Sequence, residues 1–108
     1  MSQKRYGEAL KYGITLLRDN PDQAIPNYNV GYIYYERGKD VMKQFDKSYR
    51  QKVKDAQEEY KKCLPYIERY RSLMPQDRNR WYPILYDVYY NLNMGKKFES
   101  LQWRDAYF

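Results

Sequence analysis

Apolar residues recur at steps of three and four along nearly the whole chain, and no stretch of useful length alternates apolar with polar residues between turn signals. The pattern predicts an all-α fold of about five helices. The first runs from Tyr6 to Arg18 with Tyr6, Ala9, Leu10, Gly13, Ile14 and Leu17 on one face. Asp19-Asn20-Pro21 ends it, because Asn closes a helix readily and Pro cannot continue one. A second helix begins between Gln23 and Asn27 and reaches about Phe45, turning Val30, Ile33, Tyr34, Val41 and Phe45 inward. Pro26 fits only its first turn.

From Lys39 to Leu64 there is neither Gly nor Pro, so composition alone would permit one very long helix. Ser48-Tyr49-Arg50-Gln51 argues otherwise. It has the S-x-x-Q form of a capping box, in which the hydroxyl and the amide satisfy free backbone donors at a helix start, and it places a break at about Asp46 to Ser48. The third helix then carries Val53, Ala56, Tyr60, Cys63, Ile67, Tyr70 and Met74, a seam for an antiparallel neighbour. Pro65 lies in it. Losing one backbone hydrogen bond and clashing with the previous turn costs about 3 kcal/mol, so a kink or break is expected near Lys61 to Leu64. After Met74-Pro75-Gln76-Asp77, a fourth helix runs from about Asn79 to Leu92 through Trp81, Leu85, Val88 and Tyr89. Asn93-Met94-Gly95 forms a turn, and a short last helix from Lys97 to about Trp103 holds Phe98, Leu101 and Gln102.

Composition qualifies this picture. Leu, Ile, Val and Phe supply only 20 of the 108 residues, near the roughly 20% at which a charged chain loses the means to fold. Fifteen Tyr and two Trp restore a core, since each ring buries about 150 Å² or more while its polar tip stays wet. No run approaches the roughly 18 apolar residues of a membrane span, and MSQKRYGEAL contains no leader. The compartment stays open: cytoplasmic, or periplasmic if a leader has been removed.

Candidate chemistry is sparse. One cysteine, Cys63, forms no internal disulfide, and the absence of His excludes Cys/His zinc sites and His-activated nucleophiles. Cys63 reads as a small buried residue that lets two helices approach. The five glycines, at 7, 13, 31, 38 and 95, are too scattered to cradle a phosphate. Glu58 with Glu59, and Asp19 with Asp22, sit beside basic residues on faces where nothing desolvates them. No catalytic residue, metal or cofactor is expected, and the chain reads as non-enzymatic.

Landmarks repeat along the chain. Tyr6, Ala9 and Pro21 recur as Tyr60, Cys63 and Pro75, with Gly31, Tyr34 and Gly38 between them. These residues resemble the tetratricopeptide repeat, a pair of antiparallel helices of about 34 residues. Tyr6, Ala9 and Pro21 match the family's second-helix aromatic, small residue and closing Pro. Gly31, Tyr34 and Gly38 match its first-helix Gly, Tyr and turn Gly. Pro21 and Pro75 lie 54 positions apart, so about twenty residues are inserted between Gly38 and Tyr60, beyond the repeat of about 34. Shared between two helices, the insertion would lengthen each by about ten residues, or about 15 Å, and make the central hairpin project. The fourth helix departs from the pattern: Trp81, Tyr82, Leu85 and Tyr89 fit, but the small residue is Tyr86 and the turn Gly is Asn93. The long hairpin, Cys63-Leu64-Pro65-Tyr66 and Tyr-Asn-Leu-Asn-Met look like bacterial, Bacteroidetes-type members.

The resemblance implies a right-handed stack of antiparallel helix pairs in one domain. Residues 1–21 would be the second helix of an incomplete repeat, 22–75 an extended repeat with its insertion near 39–59, and 76–108 a C-terminal pair. The first helix would then lack its usual cover, which a longer protein or another chain would supply, and the exposed ends leave self-association open. Function would be that of a scaffold or protein-interaction module binding a peptide or protein partner on the concave face. Carried over by position, that face holds Tyr28, Tyr32, Tyr35 and Glu36 on the second helix and Asp87, Tyr90 and Asn91 on the fourth. The plainer reading is that the tyrosine stripe replaces aliphatic packing in a leucine-poor chain.

Net charge is +6, and the hairpin concentrates Lys39, Lys43, Lys47, Arg50, Lys52 and Lys54. The alternative function is therefore binding of an anionic surface or nucleic acid. Against it, Asp40, Asp46 and Asp55 are interspersed and an ordinary solvated helix face looks much the same.

Overall fold

In a computed structural model of the protein, residues 3–107 are described, with side chains for residues 5–101. The described residues are all-α. Five helices follow in order: α1 (Gln3–Asp19), α2 (Ala24–Val41), α3 (Tyr49–Leu73), α4 (Arg78–Asn91) and α5 (Gly95–Tyr107), with no strand among them. The molecule measures 43 × 33 × 18 Å. Its thinnest dimension holds two helix layers, given a helix diameter of about 10 Å with side chains.

The most extensive interface joins α2 to α3, and it depends on small residues meeting rings. A Cβ on Gly31 would run into Ile67 and Tyr66, and one on Gly38 would stand 2.5 Å from the Tyr60 ring. Glycine therefore sets how close these helices come. Tyrosines fill the seam: Tyr28 meets Tyr70 at 5.1 Å between centroids, Tyr35 meets Tyr60 at 5.9 Å and Tyr34 stacks on Tyr66 at 6.0 Å. Ala56, Tyr60, Cys63, Ile67 and Tyr70 are all buried on α3, and the core continues through Trp81, Ile84, Leu85, Val88 and Tyr89 of α4 to Leu101 of α5. Tyrosine supplies the area that Leu would supply elsewhere. A second cluster joins α1 to α2 through Tyr6, Leu10, Leu17, Val30 and Ile33, with Gly13 passing directly over Val30.

The helix joints repeat. α1 ends at Asp19 and α2 begins at Ala24; α3 ends at Leu73 and α4 begins at Arg78, each 54 positions later. Side chains at the two joints repeat as well. Asn27 Nδ2 donates to the Pro21 carbonyl at 2.8 Å, and Trp81 Nε1 donates to the Pro75 carbonyl at 3.1 Å. Gln23 Nε2 donates to the Leu16 carbonyl at 2.9 Å, while at the matching positions the Tyr70 hydroxyl donates to Asp77.

Three expectations need correction. The second helix stops at Val41, because Met42 and Lys43 donate to the carbonyls of Lys39 and Asp40 at 3.2 and 3.0 Å and tighten the last turn. Phe45, expected inward, is consequently fully exposed in the connecting turn. The insertion is thus not shared equally: it falls mainly on the connection and on the first turns of α3, where Gln57 Nε2 donates to the Asn91 carbonyl at 2.9 Å. Third, α3 runs unbroken through Pro65. Pro65 and Lys61 both lie on the exposed side, so the carbonyl that loses its donor there faces water. The third helix starts where the capping pattern puts it, with the Ser48 hydroxyl accepting from the Gln51 backbone N–H at 3.2 Å. Only that half of the box forms: the Gln51 side chain donates to Asp55 at 2.8 Å instead.

Candidate partner-binding site

The seven residues of the expected face fall into three groups. Tyr35, Asp87 and Asn91 form the first: the Tyr35 hydroxyl donates to Asp87 Oδ2 at 2.7 Å, and Asn91 Nδ2 donates to Asp87 Oδ1 at 2.9 Å. Burial first, and the Asp87 hydrogen bond second, push the Tyr35 hydroxyl well above its ordinary range. The Tyr35 ring also carries Lys39 Nζ at 4.8 Å. This group ties α2 to α4.

Tyr28, Tyr32 and Glu36 form the second group. Tyr28 is half-buried between Tyr70 and the Arg80 guanidinium, 5.6 Å above its ring, and stacks on Tyr32 at 5.8 Å. Tyr32 remains exposed, and its hydroxyl is raised by partial burial and then by Glu36, which also holds Lys39 at 3.0 Å. The third group is Tyr90 alone among the tyrosines of that face. It is exposed beside Phe98 at 5.8 Å and, with Asn91, borders a hollow of about 540 Å³ between α3, α4 and α5. The seven residues therefore do not line one pocket: Tyr28 and Tyr35 pack, while Tyr32 and Tyr90 are exposed and border different hollows.

Tyr32 belongs to a different concavity. An apolar groove of about 420 Å³ lies between α1 and α2, floored by Ala9, Gly13, Leu16 and Ile33 and rimmed by Tyr12, Ile25 and Tyr32. The rim residues are 70%, 51% and 40% exposed. The sequence carries one signal for this surface, the uncovered apolar face of the first helix, but the α2 half of the groove depends on how α2 is rotated.

At the hairpin end, Phe45 and Tyr49 are exposed among basic side chains. Lys47 pairs with Asp55 at 2.9 Å, and that hydrogen bond holds the Asp55 carboxyl below its ordinary value. Lys43 lies 3.9 Å from Asp40. Among the described residues, no ion pair involves Arg50, Lys52 or Lys54.

Of the four candidate acid–base carboxylates, Asp19, Asp22 and Glu58 are exposed as expected. Glu59 is only 13% exposed, and its Oε2 is buried without a hydrogen-bond partner among the described residues, a desolvation the sequence did not signal. Glu58 pairs with Lys61, Glu59 with Arg37 and Lys62, and Asp22 with Arg69. Cys63 is fully buried, and desolvation pushes its thiol far above the reactive range. Among the described residues, no three metal-ligating side chains come together, and no helix is long and apolar enough to cross a membrane. Compared with known protein families, curated sequences and solved structures, the chain matches none.

Proposed function

We propose that the chain is a non-enzymatic, tetratricopeptide-like module that binds a protein or peptide partner. The recurrence of helix joints at an interval of 54, with matching side-chain contacts across each loop, supports a stack of related helix pairs. Residues 1–21, 22–75 and 76–108 are its successive units. One observation carries the binding role: the open groove between α1 and α2, with Tyr12, Ile25 and Tyr32 exposed along its rim. Burying these exposed apolar side chains against a partner favours association. Tyrosine adds large contact area at low entropic cost, plus a hydroxyl.

Affinity capture with wild-type and Tyr32→Glu chains side by side tests the reading. A protein retained by the wild type and lost with Tyr32→Glu, at unchanged thermal stability, is the expected outcome. Equal retention by both chains would exclude the Tyr32 side as the contact surface.

A second reading rests on the hairpin, where residues 39–54 hold six basic and two acidic side chains around Phe45. An anionic surface or a nucleic acid would be drawn to it. Affinity for heparin should then fall steeply with salt and drop when Arg50, Lys52 and Lys54 are replaced by Ala. Salt-insensitive or absent heparin binding would remove this reading.

A further inference from the structure

We infer that the α1–α2 groove receives an amphipathic helix from a partner protein, and that this helix presents a bulky apolar side chain over Ala9 and Gly13. The inference rests on the interaction-module reading and names the kind of partner.

The groove continues, one unit earlier, an interface the molecule already contains. On α3 and α4, α2 is the occupant: Gly31 lies against Tyr66 and Ile67, Tyr28 packs on Tyr70, and the Tyr35 hydroxyl meets Asp87. Moved back 54 positions, Tyr66, Ile67, Tyr70 and Asp87 become Tyr12, Gly13, Leu16 and Ile33. All four line the α1–α2 groove. Under α2, Cys63, Ile67 and Tyr70 are fully buried. Of their counterparts, Ala9 and Leu16 keep contact with solvent, while Gly13 is buried against Val30 at the groove floor. The surface that α2 covers on the second unit is open on the first.

The differences between the two surfaces specify the occupant. Cys63 becomes Ala9 and Tyr70 becomes Leu16, so the floor is deeper at those two positions, while Ile67 becomes Gly13, where Val30 of α2 takes the place of a side chain. Where α2 must carry Gly31 to clear Ile67, a helix here meets no side chain projecting from position 13, and a Leu, Phe or Trp packs above Ala9 and Gly13. Asp87 becomes Ile33, so the position corresponding to Tyr35 meets an apolar side chain and offers a hydroxyl no acceptor. Another α2 from a second copy of this chain fits poorly on both counts, with Gly31 leaving the depression empty and Tyr35 burying its hydroxyl on Ile33. Ala9 to Leu16 spans about 10 Å at the helical rise, so about two turns of helix fill the groove.

The test is selection of a displayed library of short, soluble amphipathic helices on the folded 108-residue chain. Selected peptides should be helical when bound, and each should share one bulky apolar seam position whose replacement by Gly weakens binding at least about tenfold. Tyr12→Glu and Ile25→Glu, both at exposed positions, should each weaken binding by a similar factor without lowering the melting temperature. Extended peptides that bind across Tyr28 and Asn91 would overturn the helical occupant and leave the module reading standing. No selected binder at all would overturn both. Binding that is lost in Arg50→Ala but not in Tyr12→Glu would move the contact to the hairpin, against the inference. A concentration-dependent dimer dispersed by Tyr12→Glu would give the groove to a second copy, which also contradicts it.

Discussion

Asn27 and Trp81 stand 54 positions apart and close the same joint, each donating a side-chain N–H to the carbonyl of the loop proline six residues before it. Asn27 is the only buried polar side chain of the described core, and its Nδ2 also donates to the Gln23 carbonyl at 2.8 Å. Asn27→Leu leaves those carbonyls without that donor and should cost about 1–3 kcal/mol. Trp81→Phe keeps most of the ring and removes one hydrogen bond, for a loss of about 1 kcal/mol. Urea denaturation of the two variants checks the order.

Glycine positions should divide by sign. Gly38→Ala drives a methyl into the Tyr60 ring and Gly31→Ala drives one into Ile67, each expected to destabilise by about 1–3 kcal/mol. Gly7 lies exposed in α1 with open space around it, so Gly7→Ala should stabilise by about 0.5–1 kcal/mol through helix propensity. Thermal melts of the three variants would reveal the split.

The turn between α2 and α3 has one structural side chain and one free one. Ser48→Ala removes the helix cap and should cost about 1 kcal/mol. Phe45→Ser alters a ring that contacts solvent all round, so stability should stay within about 0.5 kcal/mol. A Phe45→Ser variant that melts well below wild type would mean the ring is buried after all.

Alkaline pH should unfold this protein through its tyrosines. Burial first, and for Tyr6 the hydrogen bond to Asp40 second, push the hydroxyls of Tyr6 and Tyr60 up to about 12 from an ordinary 10.0. Tyr89 moves the same way through burial and its bond to Glu68. The folded chain holds these protons where the unfolded chain releases them. Their stabilising effect is therefore complete below about pH 10 and declines between there and about pH 12, by up to about 1.4 kcal/mol per pH unit for each tyrosine. Denaturation midpoints measured against pH, alongside tyrosinate absorbance, should fall together in that window. A flat midpoint up to about pH 11 would contradict the burial of these hydroxyls.

Much of the architecture is legible in the sequence because local signals mark it. Pro21 and Pro75 stop helices, Ser48 caps one, and the seam from Ala56 to Tyr70 is buried as its spacing predicts. Periodicity places Phe45 inward because nothing in Val41 to Gln44 announces a helix end; the tightening turn is made by backbone donors alone. Pro65 points to a break through the hydrogen bond it removes, but its exposed setting leaves the freed carbonyl to water. Spacing groups Tyr28, Tyr32 and Tyr35 into one row, but which rings a neighbouring helix claims depends on tertiary packing. Tyr70 takes Tyr28, Asp87 takes Tyr35, and Tyr32 is left to the groove.

Tyrosine is both the core and the outward surface of this protein, and mass-spectrometric mapping of tyrosine nitration in the folded chain tests that division most directly. Tyr12, Tyr49 and Tyr90 should be modified first and Tyr32 and Tyr86 after them, while Tyr6, Tyr60, Tyr70 and Tyr89 stay unmodified until the chain unfolds. Early nitration of Tyr60 and Tyr70, or protection of Tyr12 and Tyr32 in the isolated chain, would contradict the account.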